Sequence, residues 1–166
     1  MVRFNKYHFY YGAILSALYR YNPDAKPVLL SHDDSRQVYK VMTNSSQECL
    51  LYFKYASGKV SKTNERVANY SFTFSDEEKQ KLMQYSQNKQ PLLLYLLCKH
   101  PISENSEIIV LRYDEYQLVQ NHRKFVLKVQ RGKKDALMLL GSGIKNDAYA
   151  ISRDRLYCTF DDLLKN

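Results

Sequence analysis

The chain has 166 residues, 45% of them hydrophobic and 25% charged, with a formal net charge of +8 at pH 7. That composition is ordinary for a soluble globular protein and predicts one domain, 1–166, with a sizeable core. No stretch approaches the ~20 apolar residues of a membrane span, and Cys49, Cys98 and Cys158 are spaced too widely for a disulfide framework or a zinc motif.

Tyr7, Tyr11, Ile14 and Leu18 recur at helical spacing, with Tyr10 and Leu15 widening the stripe. They predict a helix over 5–20, ended before Asn22-Pro23. Lys26–Leu30 is a short extended segment and Ser31–Ser35 a turn. Gln37–Thr43 and Glu48–Ala56 form a hairpin around Asn44-Ser-Ser46. Residues 57–69 are polar and read as a surface loop, followed by an alternating strand over 70–74. Ser75-Asp-Glu-Glu78 has an N-cap serine, acids in the first turn and a glutamate at the capping-box position. It opens a helix running to about Asn88. Pro91–Cys98 is almost wholly apolar, as a strand buried on both faces would be. Glu107–Tyr113 is a further strand and Asp114–Gln120 a short helix or turn. Strands over 124–130, 135–140 and 148–152 follow, with a terminal segment at 160–164. The order predicts an α+β (mixed α/β) fold with a single central sheet flanked by an N-terminal helix and a mid-chain helix.

The stretch from Asn121 to Lys134 holds six Lys or Arg side chains and no acid. Phe125, Leu127 and Val129 alternate with Lys124, Val126 and Lys128, the period of a half-buried strand. Arg131-Gly-Lys-Lys134 is a hairpin turn. Arg123, Lys124, Lys128, Arg131, Lys133 and Lys134 form a cationic ribbon. Lys145, Arg153 and Arg155 on neighbouring strands could join it in tracking a phosphate backbone. The competing reading is a solvated sheet edge guarded by charge. The fifteen tyrosines, with no tryptophan, suit interfaces or base stacking equally.

Other motifs are structural in expectation. Ser31-His-Asp-Asp34 is a turn and not a metal site, because such side chains cap their own backbone. Gly141-Ser-Gly-Ile-Lys145 lacks the spacing of a phosphate-binding loop. His8, His32, His100 and His122 are scattered, so no metal set and no catalytic triad is expected. Cys49 and Cys98 sit in apolar runs as buried thiols. With an N-terminus unlike a signal peptide, they place the protein in the cytoplasm.

A helix, a three-strand meander, a helix and a buried strand over residues 5–98, with Lys54 ending a strand, resemble the core of the restriction-endonuclease-like superfamily. The resemblance implies Mg²⁺ held by acids, with Lys54 orienting the attacking water. Asp33 or Asp34 would supply the first acid. The acid expected two positions before Lys54 is Tyr52, and a phenol stays protonated at neutral pH. The expected function is therefore nucleic-acid contact through the basic ribbon, without catalytic residues, metal or cofactor. The alternatives are a small accessory or inhibitor protein docking on an acidic protein surface, and a metal-dependent nuclease using Asp33 or Asp34 with Lys54.

Overall fold

The computed structural model describes residues 3–32, 36–64, 66–119, 124–130, 136–140 and 149–165. Helix α1 (Lys6–Tyr21) is followed by strands β1 (Val28–His32), β2 (Arg36–Met42), β3 (Glu48–Val60) and β4 (Val67–Thr73). Helix α2 (Asp76–Gln87), β5 (Leu92–Lys99), β6 (Glu107–Arg112) and the short α3 (Tyr113–Gln117) come next. Strands β7 (Lys124–Gln130), β8 (Ala136–Leu140) and β9 (Tyr149–Ser152), a 3₁₀ turn at Arg153–Tyr157 and α4 (Phe160–Leu164) complete the described chain. This is an α+β fold built on one central mixed sheet.

Both long helices start on a side-chain cap. Asn5 Oδ1 accepts from the Tyr7 and His8 amides, and His8 Nδ1 accepts from the Asn5 amide. Ser75 and Glu78 close the same reciprocal pair ahead of α2.

Among the described residues the sheet has nine strands and two arms that share β3. The first half of β3 pairs with β2 on one side and, in parallel, with β5 on the other, giving the order β1-β2-β3-β5-β6. Its last residues, Gly58–Val60, pair with β4, which leads through β7 and β8 to β9. A Cβ at Gly58 would fall on the ring of Tyr70, so glycine lets β4 cross β3 this closely.

The centre of the first arm, β3 and β5, is covered on both faces. Cys49, Leu51, Phe53, Leu93, Tyr95 and Leu97 pack with Tyr11, Ile14 and Leu18 of α1 and with Phe160 and Leu163 of α4. Leu50, Tyr52, Leu92, Leu94 and Leu96 point the other way. They meet Leu82 of α2 and the inner face of the second arm, including Tyr70, Phe72, Leu137, Leu139 and Ile151. Each such fully buried side chain contributes about 1.5–3 kcal/mol. The second arm is covered on one face only: in β4, Ala68, Tyr70 and Phe72 are buried while Asn69, Ser71 and Thr73 are exposed.

Three expectations change. The polar segment 57–69 is mostly strand, because β3 runs on to Val60 and β4 begins at Val67. Its small and polar residues suit a strand with one wet face. Ser31 and His32 belong to β1, paired with Val38 and Gln37, and are not turn residues. The basic strand β7 is not an edge. It is hydrogen-bonded to β4 on one side and β8 on the other, which removes the guarded-edge reading.

Candidate nucleic-acid interface and two buried charge centres

Cross-strand partners share a face of a sheet. The register pairs Lys124, Val126 and Lys128 of β7 with the exposed Thr73, Ser71 and Asn69 of β4. Phe125 and Leu127 stand opposite the buried Phe72 and Tyr70. On the far side of β4, Lys59 of β3 pairs with Asn69 and is exposed. Lys59, Asn69, Lys128 and Met138 therefore form one row across four strands on the outer face. Lys62 and Arg66, both exposed, lie in the connection from β3 to β4. At that same end of the sheet β7 ends and β8 begins. Among the described residues, no outward position of β4, β7, β8 or β9 carries an acid.

Of the residues expected to meet nucleic acid, Lys124 and Lys128 take positions on this face through their backbone register. Arg123, Arg131, Lys133, Lys134 and Lys145 lie outside the described residues. Arg153 and Arg155 are not on a strand but in the 3₁₀ turn after β9, and both guanidinium groups face acids of the protein itself. Arg153 Nε lies 3.1 Å from Glu107 Oε2. Arg155 forms a fork on Glu115, Nη1 to Oε2 at 2.5 Å and Nη2 to Oε1 at 2.6 Å, and Nη1 also donates to the Val110 carbonyl. The Arg112 amide donates to the same carboxylate at 2.9 Å. Burial pushes the Glu115 carboxyl up. The bonds from Arg155 and Arg112, with the charges of both guanidinium groups, outweigh it and hold the carboxyl below its ordinary range. This centre ties the C-terminal segment to β6 and α3.

The second centre surrounds Lys54. Tyr52 and Lys54 are on the same face of β3, and both reach one carboxylate, that of Glu78 on α2. Tyr52 Oη donates to Glu78 Oε1 at 2.6 Å and Lys54 Nζ donates to the same oxygen at 2.5 Å. Glu78 Oε2 accepts from the Ser75 amide at 2.8 Å. Lys54 Nζ also stands 4.8 Å from the centre of the Phe74 ring. Arg36, the register partner of Lys54, brings Nη1 to 3.8 Å from Glu78 Oε1 and Nη2 to 3.7 Å from Glu77. Burial raises the Glu78 carboxyl, but its hydrogen bonds from Lys54, Tyr52 and Ser75 pull harder and leave it lowered.

The carboxylate beside Lys54 thus comes from α2 and not from position 52. Both of its oxygens are occupied by donors of the protein, an arrangement that fixes α2 against the sheet. Asp33 and Asp34 lie outside the described residues. Among the described residues, no group of three His, Cys, Asp or Glu side chains is placed to hold a metal ion, and no helix is long and apolar enough to cross a membrane. Cys49 and Cys98 are free and buried, and burial lifts the Cys49 thiol to about 12.

Sequence reasoning passed over Lys59, Lys62, Arg66 and Glu78. The first three belong to a segment whose polar composition reads as a loop. Glu78 was already explained by its cap, and nothing in its spacing from Lys54 reveals the pairing. Comparison with protein-family models, with curated proteins and with solved structures finds no match to this chain.

Proposed function

We propose that the protein binds nucleic acid through the outer face of the β3-β4-β7-β8-β9 arm and performs no catalysis there. The observation that carries this reading is the row of Lys59, Asn69 and Lys128 on a face whose described outward positions hold no acid. Lysine positions set beside hydroxyl and amide residues bring positive charge and hydrogen-bond donors to one face. That chemistry suits phosphate oxygens. A net charge of +8 adds long-range attraction. The cytoplasm, with its reduced thiols and abundant polyanions, is the compartment proposed.

The test is binding of fluorescent oligonucleotides across a salt series. Lys59→Glu and Lys128→Glu should each weaken binding and lower the log–log salt slope by about 0.9 on duplex. A pair of variants that bind as the natural protein does would sink the reading. Incubation with Mg²⁺ or Mn²⁺ should leave the oligonucleotide uncut. Cleavage that disappears in Lys54→Ala would install the nuclease reading instead.

One observation favours a protein partner as a second reading. Edge strand β1 exposes Val28, Leu29 and Leu30 by 55%, 45% and 49%. An apolar edge offers pairing to an extended segment of another protein. Leu29→Lys should abolish such an association in sedimentation or pull-down experiments with a defined partner, without touching nucleic-acid binding.

A further inference from the structure

We infer that the ligand of the outer face is duplex nucleic acid, gripped through its phosphates with no reading of base sequence; the inference rests on the nucleic-acid reading above. Proteins that hold single strands interleave cations with aromatic rings, and each stacked base contributes about 1–3 kcal/mol. The chain has abundant material for this, with 15 Tyr and 7 Phe. None of it stands at the outward strand positions among the described residues. The described outward positions of the arm carry Lys, Asn, Gln, Ser, Thr, Val, Leu, Met and Ala. The rings of β4, Tyr70 and Phe72, are 1% exposed and belong to the inner core. A single strand laid on this surface would give up its own base stacking and receive none in return.

The cation spacing points the same way. Lys59 and Lys128 are two strands apart, roughly 10 Å, and Lys124 and Lys128 are separated by roughly 13 Å along β7. Lysine ammonium groups on stems of four carbons, set on a grid of that pitch, can meet phosphates of both strands of a duplex, which carries one charge per ~1.7 Å of axis. Sequence readout in a groove needs side chains that project from a helix or a narrow ribbon. Strand β7 is instead flanked by β4 and β8, so it cannot enter a groove alone.

The experiment is fluorescence anisotropy with a short duplex, each of its strands alone, and a second duplex of scrambled sequence, from about 50 to 200 mM salt. The duplex should bind about tenfold or more tighter than either strand, since the strands lack a stacking partner. The two duplexes should agree within about twofold, as contacts to phosphates carry no sequence information. Lys59→Glu should weaken duplex binding with an unchanged near-ultraviolet circular dichroism spectrum. Single strands bound as tightly as duplex, or one duplex preferred about tenfold over the other, would overturn this inference and leave the nucleic-acid reading standing. Failure of every oligonucleotide to bind at the lowest salt would overturn both.

Discussion

The two arms of the sheet share a strand and differ in how many faces they bury. In β5, of the first arm, every residue from Leu92 to Cys98 is buried, and the sequence there is a continuous apolar run. In β4, of the second, residues 68–73 alternate between buried and exposed. The first arm holds its polar groups as closed internal centres, Lys54 with Glu78 and Arg155 with Glu115. The second exposes Lys59 and sets Lys124 and Lys128 at outward register positions. The stability of the molecule is therefore concentrated in one arm and its capacity to meet a charged partner in the other. Substitutions should separate the two properties.

The largest effect should come from the Lys54 centre. Lys54→Ala leaves a buried carboxylate without its cation and should cost about 3–5 kcal/mol in urea unfolding. Replacing both partners, Lys54→Met with Glu78→Gln, should recover most of that loss, because the amide oxygen still accepts from the Ser75 amide and the amide NH2 donates to the Tyr52 hydroxyl. A double variant as unstable as the single one would show that Lys54 acts through packing and not through charge. At the junction of the arms, Gly58→Ala drives a methyl into the Tyr70 ring and should cost about 1–3 kcal/mol by the same assay.

Acid should act on the internal centres before the outer face. Glu78 and Glu115 have carboxyls lowered from the ordinary value of 4.5 in the folded protein. A lowered folded value means stability that is fully present above pH 4.5 and is lost as pH falls through the folded value. Thermal midpoints should stay level from neutral pH to about 5 and fall below 4.5, more gently in Glu78→Gln. Smallest of all, Lys59→Ala and Ser71→Ala on the outer face should change stability by less than about 0.5 kcal/mol. A larger loss would mean that the face is structural and weaken its assignment as a binding surface.

Much of this architecture was legible in the sequence, and the reasons are local. The α1 stripe, the Ser75 cap and the apolar Leu92–Cys98 run each carry their period or composition within a few residues. The extension of β3 was not, because Gly58 and its polar neighbours resemble a loop to any reading of composition. Only the pairing with β4 reveals why a glycine stands there. The basic strand was placed correctly as a strand, but its neighbours were not foreseeable. β4 and β7 are separated by two helices and two strands in the chain. The partners of Arg155 were equally out of reach: Glu115 is an acid in a short helix, with no periodic signal linking it to the turn after β9. Arg153 and Arg155 looked like a pair in strand alternation, and the 3₁₀ turn gave them internal acids instead.

The long-range pairing of β4 has a consequence for how the chain is made. Strand β4 acquires β7 as its second neighbour only when Lys124–Gln130 has been synthesised, with Thr73 joining Lys124 and Val67 joining Gln130. At ~5–20 residues per second the ribosome takes roughly 3–10 seconds to cover the intervening stretch. During that interval the nascent β4 has one unsatisfied rim. The outward Asn69, Ser71 and Thr73, with the exposed Lys62 and Arg66 just before the strand, keep the surroundings of that rim wet and positively charged. Neighbouring chains on the same messenger would repel one another there, which favours completion of the sheet within one chain over pairing between chains.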